Sequence, residues 1–202
     1  MNSLHAWIAS PTARRPATVL LVRHAATDTM LTALTGRAPD VGLNAEGERQ
    51  AAQLAHRLST AQLTAVYSSP LLRARATAEV VATPLKLDVR LEPDLTEIDF
   101  GEWTGLTFHE LAEREDWREY NASRAGATVP QGEAPAAAAA RIGRTMTRVA
   151  GRHAGETVAL VTHAELIRYA ILRARRRSLD EWAAVDVPPA CVMRFECEAL
   201  DD

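Results

Sequence analysis

The stretch Thr18-Val19-Leu20-Leu21-Val22 runs straight into Arg23-His24 with no glycine or proline between them. Five apolar or β-branched residues in a row predict a short strand buried on both faces. The same pattern recurs twice. Residues 63–67 (Leu-Thr-Ala-Val-Tyr) stop at Ser68-Ser69-Pro70, and residues 157–161 (Thr-Val-Ala-Leu-Val) end in Thr162-His163. Between the strands the period changes from 2 to 3.6. Asn44 reads as the N-cap of a helix over 45–58, whose Ala51, Leu54, Ala55 and Leu58 share one face. Ser69 as N-cap with Pro70 at the first helical position predicts a second helix to about Ala82. A strand at 86–91, an alanine-rich helix at 133–152, a helix following His163 to about Arg175 and a short helix at 179–184 complete the pattern. Residues 192–195 are expected as a closing strand, antiparallel and at an edge. Alternating strands and helices indicate a layered α/β fold with a mostly parallel sheet. Such sheets bind ligands at the carboxyl ends of their strands, which is where Arg23-His24, Ser68-Ser69 with Arg73, and Thr162-His163 fall.

The composition is that of an ordinary globular chain: 202 residues, 47% hydrophobic, 24% charged, formal net charge -3. This mild acidity offers no global case for binding nucleic acid or an anionic membrane. No apolar run approaches the ~20 residues that span a bilayer. Residues 1–17 lack the continuous apolar core of a secretion signal and are expected as a disordered tail on a cytoplasmic protein. Residues 18–202 are expected as one domain, with a polar and aromatic helix-and-loop cap at about 103–132 that includes Trp103, Trp117 and Tyr120. Cys191 and Cys197 are expected as reduced thiols. His5, His56 and His153 read as surface residues. His109-Glu110 opens like a zinc-protease motif, but position 113 is Glu and the metal reading fails. The run 173–177 (Arg-Ala-Arg-Arg-Arg) reads as a basic last helical turn.

The strand-end groups share one chemistry. A neutral imidazole is a nucleophile near pH 7 once its other ring nitrogen is held by a hydrogen bond. Arg23 and Arg73 offer bidentate donors for phosphoryl oxygens, and the helix N-terminus before Arg73 adds favourable field. A protonated His163 adds a donor. Phosphoryl transfer needs little beyond positioning and charge stabilisation, so no metal and no cofactor are required. A carboxyl in a desolvated setting would protonate the leaving oxygen. On these grounds Glu97, Asp99 and Glu102 remain equal candidates.

The segment Leu21-Val22-Arg23-His24-Ala25-Ala26-Thr27 resembles the LVRHGET signature of the histidine phosphatase superfamily, in its phosphoglycerate-mutase-like branch. The resemblance continues through Gly36-Arg37, Leu43 to Gly47, Ser68 to Ala74 with Thr77-Ala78, Leu95 to Gly105, Pro130 to Glu133, and Val161-Thr162-His163-Ala164, in order over roughly residues 18–170. It implies a three-layer sandwich in which helices flank the central sheet. It also implies His24 as the nucleophile forming a phosphohistidine, Arg23, Arg73 and His163 as the phosphate pocket, and Glu97 as proton donor. Thr27 would support the phosphate site, with Ala164 beside it, and Arg37 is either an anion-binding group or a solvated loop residue. Ala25 and Ala164 stand where the family favours glycine, Ala26 where it has glutamate, and Met30 where it often has asparagine. The function expected is a metal-independent phosphomonoesterase for a small phosphorylated metabolite, nearer the small phosphatases such as α-ribazole-phosphate phosphatases than the mutases. Mutase-type transfer is the alternative enzyme reading, and a weakly catalytic phosphate-binding protein the alternative of another class. The partner is a small-molecule phosphate ester rather than nucleic acid or membrane, bound by a monomer or homodimer.

Overall fold

The computed structural model describes residues 15–198. Its strands are β1 (Ala17–Arg23), β2 (Leu63–Ser68), β3 (Val89–Leu91), β4 (Thr157–Thr162) and β5 (Val192–Cys197). Its helices are α1 (Ala45–Leu58), α2 (Leu72–Ala82), α3 (Phe108–Glu113), α4 (Glu115–Ala122), α5 (Pro135–Arg152) and α6 (Ala164–Ala174). The strands form one sheet in the order β3-β2-β4-β1-β5. All pairs are parallel except β1 with β5, so the expected antiparallel edge strand is present. No described helix is long and apolar enough to cross a membrane.

The sheet divides the core into two apolar layers, and the apolar runs explain why. Along β1, Val19 and Leu21 face the layer built with α5 and α6, while Leu20 and Val22 face the one built with α1 and α2. Along β4, Val158 and Leu160 alternate with Ala159 and Val161 in the same way. A strand buried on both faces needs both alternating sets apolar. In the helices, Ala51, Leu54 and Leu58 of α1 supply one layer, and Ile142 and Val149 of α5 with Leu166 of α6 supply the other.

Several boundaries differ from those read along the chain. β1 begins at Ala17, within the segment assigned to a tail, and residues 1–14, including His5, lie outside the described residues. α2 begins at Leu72 rather than Pro70, because the Ser69 hydroxyl is drawn to the His163 ring across the sheet (2.8 Å) and also accepts the Leu71 N–H. The strand expected from residue 86 starts at Val89, since Lys86 takes left-handed backbone (φ 57°) after a 3-10 turn over Thr83–Leu85. Glu133 precedes α5 instead of opening it; Arg37 and Arg141 hold its carboxylate in the preceding loop. The cap region forms two short helices, α3 and α4. His153 is buried, not superficial, its ring bonded to the Tyr67 hydroxyl (3.0 Å) and the Glu156 carboxylate (2.7 Å).

Gly47, in the first turn of α1, packs against the loop that follows His24. A β-carbon there would fall inside the Ala26 carbonyl. Glycine to alanine in a helix normally stabilises by about 1 kcal/mol, whereas overpacking a filled site costs about 1–3 kcal/mol. Gly47→Ala is therefore expected to destabilise the protein by up to about 2 kcal/mol in urea denaturation; an unchanged or higher midpoint would show that the α1 contact yields.

Candidate active site

Three strand ends are tied to one another before any side chain is considered. The His24 N–H donates to the Thr162 carbonyl and the Ser69 N–H to the Val161 carbonyl, each at 3.0 Å. The turn after His24 is then clamped from the helical layer below. The Ala25 N–H donates to Thr77 Oγ1 of α2 and the Ala26 N–H to Gln50 Oε1 of α1, both at 3.0 Å. Arg73 is the second residue of α2 and His163 directly precedes α6.

These ends border a cavity of about 520 Å³. Arg23, His24, Thr27, Arg73, Glu97 and Ala164 line its floor. His24 is only 6% exposed, and its ring centroid lies 5.1 Å from that of the fully buried His163. His24 Nδ1 is 2.8 Å from the Ala25 carbonyl oxygen. A carbonyl can only accept, so Nδ1 carries the proton and Nε2 keeps its lone pair. Arg23 donates to the Val187 carbonyl (2.5 Å) and Arg73 to the Gly36 and Ala38 carbonyls (2.6 and 3.1 Å). Neither forms an ion pair among the described residues. Arg23 Nε and His163 Nδ1 are buried with no hydrogen-bond partner among the described residues.

Burial sets the protonation states. It holds the His24 pKa down to about 3, with the positive fields of Arg73 and Arg23 acting in the same direction and the Ala25 hydrogen bond opposing. Burial, then the charges of His24 and the two arginines, also lowers His163 well below the ordinary histidine value. That disfavours the protonated His163 expected above. For Glu97 the signs reverse: burial and then the Glu165 carboxylate raise its pKa to about 7, against the pull of the Ile98 N–H and Arg73. A neutral imidazole with a free Nε2 thus shares one cavity with a carboxyl able to hold or release a proton near neutrality.

Glu97 is buried, Asp99 is half-buried and Glu102 is exposed. Asp99 is engaged by Arg37 and the Gly101 N–H, so of the three acids Glu97 alone lines the cavity. Its loop is pinned by Arg37 to the Glu97 carbonyl (2.8 Å), Arg141 to the Asp94 and Thr96 carbonyls (2.7 and 2.8 Å), and Thr162 to the Leu95 carbonyl (2.7 Å). Arg37 accordingly lies outside the cavity lining, bridging Glu97, Asp99 and Glu133. Ala25 and Ala164 have no positive φ, so their methyl groups carry no backbone strain. Met30 takes a contact from the Arg23 guanidinium at 3.2 Å.

The far wall went unread in the sequence. Glu165 sits there between Arg124 and Arg168, paired with both, and Trp182 covers the Arg124 guanidinium at 3.7 Å. Only Glu165 carried a local signal, its adjacency to His163-Ala164; Arg124, Arg168 and Trp182 are brought together by folding alone.

The comparisons with known proteins agree with this geometry. The family model of the histidine phosphatase superfamily (branch 1) matches residues 19–200. A bifunctional protein of Mycobacterium tuberculosis is 36% identical over 172 residues, covering 84% of this chain; the chain spans only 46% of that relative's length. Phosphoserine phosphatase 1 of Hydrogenobacter thermophilus is 33% identical over 147 residues, 72% of this chain and 70% of that protein. The solved structure of YhfR from Bacillus stearothermophilus superposes with a TM-score of 0.84 at 25% identity, covering 89% of this chain and 91% of that one. Strand ends, buried charges and family model converge: the chain belongs to the histidine phosphatase superfamily, branch 1.

Proposed function

We propose that the protein hydrolyses small phosphate monoesters through a phosphohistidine on His24. The observation that carries this reading is the pairing, in one cavity, of His24 with a free Nε2 and Glu97 with a pKa raised to about 7. Arg23 and Arg73 flank them without ion-pair partners among the described residues, so their charge is available to phosphoryl oxygens. The similarity to a phosphoserine phosphatase supports hydrolysis of a phosphate ester.

In this mechanism His24 Nε2 attacks phosphorus as the bond to the ester oxygen breaks. Glu97 passes its proton to the departing oxygen and becomes a carboxylate. It then takes a proton from water as the water oxygen attacks phosphorus, which releases inorganic phosphate and restores both groups. Arg23, Arg73 and the buried Arg23 Nε and His163 Nδ1 supply the donors that a phosphoryl group would meet. Thr27, buried at the cavity floor, adds a hydroxyl.

A radiolabelled phosphate ester should leave a labelled, acid-labile adduct on the wild-type protein and none on His24→Ala, with turnover lowered on the order of 10⁴-fold or more. An adduct that persists in the variant would make another residue the nucleophile. Glu97→Gln should lower turnover of alkyl esters by roughly 10²–10⁴-fold and of nitrophenyl esters far less, because the latter need no proton at departure. Equal losses on the two ester types would remove Glu97 as the acid.

The pH profile follows from the same shifts. Glu97 must be protonated to donate, so kcat/KM should fall as pH rises through about 7, while His24 stays neutral down to about 3. Glu165 raises the Glu97 pKa, so Glu165→Gln should move the alkaline limb to lower pH. A limb unmoved in that variant would assign it to a different group.

A further inference from the structure

We propose that the cavity selects phosphomonoesters whose alcohol part is uncharged and apolar or aromatic, over esters of small acids that carry a carboxylate; this rests on the phosphatase reading above. The arginines that line the cavity differ in how their charge is engaged. At the floor, Arg23 and Arg73 donate to backbone carbonyls and the Met30 sulfur and meet no carboxylate among the described residues. Around Glu165 most of the charge is already committed, with Arg124 Nε buried and without a hydrogen-bond partner among the described residues. Both carboxylate oxygens of Glu165 are taken, one by Arg124 and one by Arg168.

Those two arginines are fixed by further contacts. Arg124 donates to Asn121 Oδ1 (2.8 Å), and its guanidinium lies over Trp182 at 3.7 Å and near the Tyr120 ring at 4.8 Å. Arg168 donates through Nε to the Val185 carbonyl (3.0 Å) and lies 5.6 Å from the Trp182 ring. A substrate carboxylate entering here would approach Glu165, a like charge in a low-dielectric wall, or have to draw an arginine from a stacked and bonded position. Neither favours it.

The rest of that half is largely apolar, Asn121 being a polar member whose amide is engaged by the Trp117 carbonyl and Arg124. Leu34, Phe100, Phe108 and Trp117 line it with Trp182. Phe108 keeps 41% of its surface exposed although it lies on the cavity border. An apolar alcohol part would cover these side chains, which is the usual division of a small-molecule site into an apolar wall and a few convergent polar groups.

The test compares three esters of primary alcohols, which share similar leaving oxygens: 2-phenylethyl phosphate, ethyl phosphate and 3-phosphoglycerate. The purified protein should hydrolyse 2-phenylethyl phosphate with kcat/KM at least tenfold above that for 3-phosphoglycerate. Phe108→Ala should lower the rate on the phenylethyl ester several-fold more than on ethyl phosphate. Calorimetric titration of His24→Ala protein with the same esters should return the same order of affinity. Equal or inverted preference in both measurements overturns the proposal. If none of the three is turned over while the affinity order holds, the phosphatase reading fails and the preference of the cavity for apolar esters is upheld.

Discussion

The parallel pairing of β1 with β4 is the contact on which the rest of the molecule depends. Val22 stands opposite Val161 and Arg23 opposite Thr162, so the two strands run out in step and the next residue of each is a histidine. The His24 N–H then bonds to the Thr162 carbonyl, and the ring of the fully buried His163 lies 5.1 Å from that of His24, which lines the cavity. Register here is held by the core. A slip of one residue would exchange the faces of Val19, Leu20, Leu21 and Val22 and move the two histidines out of step. The packing that buries the sheet and the geometry that assembles the site are therefore the same constraint.

Burial at this floor acts on two groups with opposite results. Removing water disfavours whichever form is charged, so the His24 pKa moves down and the Glu97 pKa up. Between about 3 and about 7 both groups are neutral, and the arginines beside them keep their charge. The fold pays for a buried carboxyl by fixing its loop from several sides: Arg37, Arg141 and Thr162 all donate to backbone carbonyls between Asp94 and Glu97. Arg37, Glu133 and Arg141 thus act on the site through the Glu97 loop, without lining the cavity.

Much of this was legible along the chain because its signals are local. The runs at 18–22, 63–67 and 157–161 all became strands, and the polar groups at their ends all came to one edge of the sheet. The cap of Asn44 on the Gly47 N–H was likewise readable from residue types and spacing. Boundaries failed where a distant side chain intervened, as when His163 took the Ser69 hydroxyl or Arg37 and Arg141 took Glu133. His153 was misread for the same reason, since nothing near it in the chain announces Tyr67 as a partner.

From its sequence alone the chain determined the parallel α/β layering, the arrival of Arg23, His24 and His163 at strand ends and that of Arg73 in the first turn of the helix after β2, because period, run length and stop signals are properties of neighbouring residues. Tertiary structure alone decided which of Glu97, Asp99 and Glu102 faces the cavity, that Arg37 clips a loop, and that Arg124, Glu165, Arg168 and Trp182 build the far wall. Those outcomes turn on solvent exclusion and on pairing between residues far apart in the chain, and neither quantity exists until the layers have packed.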